Sequence, residues 1–189
     1  MYKLLRETIE KEIKLTDLEW KKILDKIELV KLDKNNFFLS QDNACNYEGF
    51  VLKGSLKIYT LEESGSENIA FFAFEGDWVC DIEGFYNKKK SKYNIKSLEI
   101  CDIVVVSREN KEWLFKEIPK LLHFHSLMMQ KVAIVMQNRL LETLNKTAKE
   151  RYLNFITKHP DKIYKINNRN LSSYLGVSEE FLSKIKKLI

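Results

Sequence analysis

The 189-residue chain carries 32 basic and 27 acidic residues, which gives a formal net charge of +5. With 44% hydrophobic residues, six glycines and two prolines, this composition indicates a folded chain and excludes disordered and collagen-like classes. Apolar runs fall well short of the ~20 residues of a membrane helix, and the charged N-terminus lacks a signal-peptide core. We therefore expect a cytoplasmic protein that does not contact membranes.

The charge is distributed unevenly along the chain. From residue 145 onward ten basic residues stand against four acidic ones, so this tail carries about +6 and the rest about −1. A basic tail on a nearly neutral body is typical of a protein that binds a polyanion. The alternative is a lysine-rich surface that contacts only solvent.

The first half of the chain changes its hydrophobic period near residue 29. Residues 2–28 are predicted to be helical, with a capping box from Thr16 to Glu19. The period of two that follows predicts short strands. These are 37–39, two strands within 49–61 joined by a hairpin turn at Gly54-Ser55, then 69–74, 93–98 and 101–106. A short helix is predicted at 81–86, and the many short strands predict an antiparallel barrel or sandwich.

Residues 109–144 are predicted to form one long helix with two apolar stripes. The first stripe is Leu121, Phe124, Met128, Val132 and Val135; the second is Leu122, Met129, Ala133, Met136 and Leu140. Two stripes require two partners. We expect the barrel to cover one and a second copy of the chain to cover the other, with the first stripe as the dimer interface. The alternative is burial of both stripes within one globule.

The C-terminal segment has the spacing of a helix-turn-helix. After an amphipathic helix at 147–158, the apolar positions fall into two short helical patterns on either side of Gly176: Leu171, Leu175, Val177, Leu182 and Ile185. Glycine tolerates the positive φ of the turn, and Ser172 allows close crossing of the helices. Ser178 is a suitable N-cap for a second helix at about 179–187. Such a helix could read the DNA major groove, although an ordinary helical hairpin fits the spacing as well.

Three segments resemble the Crp/Fnr family of bacterial transcription regulators. They are Glu75-Gly76-Asp77-Trp78, the segment 148–152 (AKERY) and the segment 171–178 (LSSYLGVS). The last two resemble short members from Bacteroidetes-type bacteria. The resemblance implies an α+β fold in three parts. These are an N-terminal antiparallel β-barrel of the cyclic-nucleotide-binding type (a double-stranded β-helix, 1–108), a dimerisation helix (109–144) and a C-terminal helix-turn-helix domain that lacks a full wing (145–189).

The resemblance also implies a DNA interface. It consists of Arg169, Ser178, Glu179, Glu180, Ser183, Lys184, Lys186 and Lys187. Base-reading positions fall on Glu179, Glu180 and Lys184. A glutamate accepts from cytosine N4 but cannot grip guanine as arginine does, so we expect a different target from that of the best-known members. The lysines and arginine are expected to bind phosphate.

The effector site that the resemblance implies is incomplete. The matching positions are Cys80, Asp81, Ser91 and Lys92. Cys80 adds a side chain where the family has glycine, and Ser91 cannot clamp a phosphate as arginine would. We therefore expect another small ligand or none, and no cyclic nucleotide.

The sequence disfavours catalysis. The three histidines, His123, His125 and His159, lie outside the strand region, and the three separated cysteines show no metal-site or disulfide pattern. We expect no metal and no cofactor. The favoured function is a homodimeric, sequence-specific DNA-binding regulator whose partners are duplex DNA, a second copy and RNA polymerase. The alternative is a small-ligand sensor of the same fold that has lost DNA binding.

Overall fold

Alternating apolar and polar residues between positions 28 and 107 form eight strands in the computed structural model, which describes residues 1–187. They are β1 (Glu28–Leu32), β2 (Phe37–Leu39), β3 (Tyr47–Lys53), β4 (Leu56–Leu61), β5 (Glu67–Ala73), β6 (Trp78–Val79), β7 (Asn94–Ser97) and β8 (Cys101–Ser107). Two four-stranded sheets result, in the orders β1-β8-β3-β6 and β2-β7-β4-β5. All paired strands are antiparallel, which confirms the predicted barrel.

The space between the two sheets is filled with apolar side chains. Val51 and Ile103 from the first sheet and Leu56 and Ile95 from the second are fully buried in one cluster. Phe85, from the short helix between β6 and β7, fills the same cluster. Burying these side chains is the main favourable term for the barrel.

The turn at Gly54 does not join a hairpin. β3 pairs with β6 and β8, whereas β4 pairs with β5 and β7, so the chain crosses from one sheet to the other at this turn. Gly54 has φ +93°, and a Cβ there would lie 2.6 Å from the Ile100 carbonyl oxygen. The predicted hairpin is therefore wrong, because the turn residues predict a tight turn but not which strands pair across it.

Eight helices surround the barrel within the described residues. They are α1 (Lys3–Glu10), α2 (Asp17–Leu24), α3 (Ile82–Asn87), α4 (Arg108–Glu117), α5 (Lys120–Asn145), α6 (Ala148–Lys158), α7 (Asn168–Leu175) and α8 (Glu179–Lys187), with a 3-10 turn at Ile163–Lys165. The predicted N-terminal helix is divided into α1 and α2, and α2 begins at the predicted capping box of Thr16 and Glu19. None of the helices described is both long and apolar enough to cross a membrane.

The predicted helix at 109–144 is also divided in two. Pro119 disfavours helical geometry at the residue before it, and Ile118 accordingly has φ −134° and ψ 75°. Helix α5 starts from Pro119 and continues for 26 residues. The break lets α4 pack on the barrel while α5 leaves it.

Two residues of the predicted dimer stripe lie in the protomer's own core. Leu121 and Phe124 are buried in a cluster with Leu5 and Ile9 of α1, and the Phe124 ring packs against Trp78. The N-terminal helices cover this first turn of α5, so the assignment of these two side chains to a dimer interface is corrected. Of the remaining predicted positions, Met128 and Val132 are partly buried and Val135 is exposed.

A buried polar cluster connects the first sheet with α3, α4 and α5. The Lys111 ammonium donates to Glu48 at 2.5 Å and to the Tyr86 hydroxyl at 2.8 Å, and that hydroxyl lies 3.0 Å from His125 Nε2. Burial, followed by the charge of Lys111, lowers the pKa of His125 to about 4, so its ring is neutral at pH 7. Both members of the ion pair are at least nine-tenths buried.

Removing one member of this ion pair should destabilise the fold strongly. In Lys111→Met, the Glu48 carboxylate is left buried without its cation, and we expect the free energy of unfolding to fall by about 3 kcal/mol. Adding Glu48→Gln to that variant should recover more than half of the loss, because no buried charge then remains. Urea unfolding at fixed protein concentration measures both values. Equal stability of Lys111→Met and the parent protein would contradict the buried ion pair between Lys111 and Glu48.

Candidate nucleic-acid interface

Helices α7 and α8 form a helix-turn-helix around Gly176. Gly176 adopts φ +67° and ψ +41°, and its N–H closes the last turn of α7 on Ser172 and Ser173. Leu171, Leu175, Leu182 and Ile185 are buried in the cluster between the two helices. The predicted helix pair is confirmed, because the left-handed residue turns the chain and the small Ser172, itself buried, permits the close crossing.

Helix α8 begins at the predicted cap. The Ser178 hydroxyl accepts from the Phe181 N–H at 3.1 Å. Glu179 and Glu180 follow in the first turn, where the positive end of the helix dipole stabilises carboxylates. Lys184, Lys186 and Lys187 occupy the last turn. The helix therefore begins acidic and ends basic.

The residues predicted to contact DNA do not all face solvent. Glu179, Glu180, Lys184 and Lys187 are exposed on the side of α8 that faces away from the core, and Arg169 is exposed on α7. Ser183 is partly buried and donates to the Glu179 carbonyl oxygen at 2.9 Å. Lys186 is partly buried as well and donates to Asn168 Oδ1 at 2.6 Å, so it ties α8 to the start of α7. Its charge is therefore partly used within the domain.

Two arginines that sequence reasoning missed hold the end of α7. Arg139 from α5 donates to the Tyr174 carbonyl oxygen at 2.5 Å, and its guanidinium lies 3.6 Å from the centre of the Tyr174 ring. Arg151 from α6 donates to the Leu175 carbonyl oxygen at 2.8 Å. Both satisfy carbonyls that the helix end leaves without a partner. The available sequence signal was the polar run from Gln137 to Arg139, which interrupts the apolar stripes of the helix.

The other side of α7 is bound to the barrel. The Ser173 hydroxyl accepts from the Ile69 N–H at 3.0 Å and donates to the Glu67 carbonyl oxygen at 2.5 Å. Strand β5 is the edge of its sheet, so these bonds pair edge groups that lack a neighbouring strand.

A second polar link lies beside the Ser173 bonds. The Lys57 ammonium pairs with the Glu67 carboxylate and reaches Asn170 Oδ1 at 3.3 Å. Phe72 adds an aromatic contact, since its ring centre lies 5.2 Å from that of Tyr174. The helix-turn-helix is therefore docked on the outer face of the barrel domain.

The residues at the predicted effector positions are engaged within the fold. Asp81 is buried and caps α3 by accepting from the Gly84 N–H at 3.1 Å. Ser91 is buried and bonds to the backbone of Tyr93. Lys92 lies 3.2 Å from Glu83, which also binds Lys89 at 2.6 Å. These four positions include no arginine, and the side chains of three of them are bonded within the fold.

Two cavities lie in or beside the barrel, and neither reaches the predicted effector positions. One, of about 300 Å³, is lined by residues 37–40 and 43–47 on the β2–β3 side. The other, of about 60 Å³, is apolar and lies between the N-terminal helices, the first sheet and α5. Neither is lined by Cys80, Asp81, Ser91 or Lys92.

The barrel is similar to a known class of domain. Residues 29–117 match the family model described as Cyclic nucleotide-binding domain. The chain thus joins a barrel that matches this model, through the long helix α5, to a helix-turn-helix.

Comparison with whole proteins extends the match to most of the chain. It is 19% identical to the cAMP-activated global transcriptional regulator CRP of Escherichia coli O6:H1, over 91% of this chain and 86% of that protein. The c-di-GMP responsive global regulator CLP of Xanthomonas campestris superimposes with a TM-score of 0.75 at 14% identity, covering 92% of this chain and 91% of that one. The structure of a Crp/Fnr-family regulator from Eubacterium rectale superimposes with a TM-score of 0.72 at 16% identity, covering 92% of this chain and 83% of that one. The resemblance of this chain to the Crp/Fnr family of transcriptional regulators is confirmed.

Removing the Ser173 hydroxyl should free the edge of β5. In Ser173→Ala the Ile69 N–H loses its partner, and we expect its amide hydrogen exchange to accelerate at least tenfold. Ser183→Ala is the matched control, because that hydroxyl bonds only within its own helix and should leave Ile69 unchanged. Exchange measured by NMR at the single amide decides the point. An unchanged Ile69 rate in Ser173→Ala would contradict the docking contact.

Proposed function

We propose that the protein is a homodimeric transcriptional regulator that binds specific duplex DNA sequences through α8. The observation that carries this proposal is the exposed side of α8, where Glu180, Lys184 and Lys187 face solvent while Leu182 and Ile185 hold the helix on α7. Side chains on that face have the donors, acceptors and charge that base edges and phosphates require. RNA polymerase is the further partner implied by regulation of transcription.

The second half of α5 supports the dimer. Its exposed apolar side chains range from 44% to 70% exposed and are Ile134, Val135, Met136, Leu140, Leu141 and Leu144. Exposed apolar side chains concentrated in the last three turns of one helix are typical of a protein interface. A second copy of the same helix offers an equal strip, and a two-fold axis along it would present two α8 helices to successive major grooves.

A charge in this strip should disrupt the dimer. Leu140→Glu places a carboxylate in the proposed interface, and we expect monomers at concentrations where the parent protein is dimeric, since an unpaired buried charge is costly. Leu18→Glu is the control, because Leu18 is 69% exposed on α2, far along the chain from α5. The Leu18→Glu variant should remain dimeric. Analytical ultracentrifugation measures both. A parent protein that is monomeric at tens of micromolar would contradict the proposal.

Binding to DNA should depend steeply on salt. Neutralising one lysine that contacts phosphate should reduce the slope of log affinity against log salt by about one. We expect this result for Lys187→Gln. Lys3→Gln, an exposed lysine on α1, should leave the slope unchanged. Fluorescence anisotropy with a mixed-sequence duplex at several salt concentrations measures the slopes. Equal slopes for the two variants would show that Lys187 does not contact phosphate.

We propose further that the barrel does not sense a cyclic nucleotide. Asp81 and Ser91 are buried and bonded within the fold, and Lys92 is paired with Glu83, so no free phosphate clamp is available among them. Similar proteins are named for different effectors, cAMP for CRP and c-di-GMP for CLP, so the effector does not follow from the fold. A thermal shift of several degrees with millimolar cAMP would contradict this part of the proposal.

The proposed role is binding and not catalysis. His123 and His125 lie on α5 and His159 at the end of α6, so none projects from a barrel strand. The alternative is a ligand sensor that has lost DNA binding. The acidic residues Glu179 and Glu180 at the start of α8 are consistent with it, because carboxylates repel phosphate. Absence of any salt-dependent DNA affinity up to micromolar protein, together with a thermal shift from a small metabolite, would favour that alternative.

A further inference from the structure

We propose that Phe181 is a specificity-determining residue that recognises the C5-methyl group of thymine in the major groove. This inference rests on the proposed function of α8 and names part of the sequence that it reads. Phe181 is not among the positions that the family resemblance assigns to base reading. Its place on the helix and its exposure point to this role.

The ring of Phe181 faces outward. It is 49% exposed, whereas its neighbour Leu182 is fully buried against α7. Its own N–H is bound to the Ser178 cap, which fixes the residue in the first turn of α8. In a docked recognition helix the N-terminal residues are those that contact base edges. The phenyl group therefore lies among the side chains that would enter the groove first.

The residues around the Phe181 ring favour DNA as its binding partner. Glu180 precedes it, and Lys184 lies three residues later on the same exposed side. An apolar protein partner would meet charges on both sides of the ring, whereas a duplex offers phosphates for the lysine and a base-edge donor for the glutamate. Thymine is the base that displays an apolar group in the major groove. A half-exposed phenyl gains the most burial against that methyl group.

The test replaces thymine with uracil in the duplex. Uracil lacks only the C5-methyl group, so its pairing edge and the backbone stay the same. A preferred duplex is first selected from a random pool with the full-length parent protein, and each thymine of one half-site is then exchanged singly. We expect one exchange to weaken binding about fourfold, the effect of one buried methyl group. Phe181→Ala should bind the thymine and uracil duplexes equally at that position.

A conservative variant separates contact from folding. Phe181→Leu keeps an apolar side chain and should retain part of the thymine preference, while circular dichroism should be unchanged in both variants because the ring is not a core residue. Equal binding of every thymine and uracil duplex by the parent protein would overturn this inference and leave the proposed function standing. A thymine preference that persists in Phe181→Ala would also overturn it. Failure to select any duplex would overturn the proposed function itself.

Discussion

The hydrogen bonds between Ser173 and the edge of β5 determine where the helix-turn-helix lies on the barrel. They pair the N–H of Ile69 and the carbonyl of Glu67 with one hydroxyl of α7, and Lys57 adds a charged link to Asn170. On its other end α7 is held by Arg139 and Arg151, so the first helix contacts both the barrel and the long helix. Among the residues that the structure describes, helix α8 makes no such bonds to the barrel, and its position follows from its packing on α7. Any movement of β5 would therefore reach α8 through a short set of named contacts.

A second route connects the barrel with the long helix. Glu48 on β3, Lys111 on α4, Tyr86 on α3 and His125 on α5 form one continuous chain of polar contacts. Helix α3 lies beside the predicted effector positions, while α5 carries the exposed apolar strip. Separating a buried pair of this kind is costly because it leaves a charge without its partner. The polar cluster therefore gives the barrel and the proposed dimer helix a common, rigid anchor.

Local chemistry in the sequence predicted the elements well and their partners less well. Thr16, Gly176 and Ser178 predicted their turns and caps because those depend on neighbouring residues only. The hairpin predicted at Gly54 was wrong, since a turn signal does not indicate which strands pair. Leu121 and Phe124 misled for a similar reason: their spacing predicts a buried stripe, but only the fold shows that α1 covers them. Arg139 and Ser173 could not be found from periodicity, because their partners lie 35 and about 100 residues away.

The central claim is that α8 reads duplex DNA as one of two symmetry-related helices. Selection of bound sequences from a random duplex pool by the full-length protein tests it most directly. We expect an enriched inverted repeat with half-site centres about one helical turn apart, the spacing that a two-fold pair of recognition helices requires. A pool that shows no enrichment, or an enriched sequence with no two-fold symmetry, would contradict it.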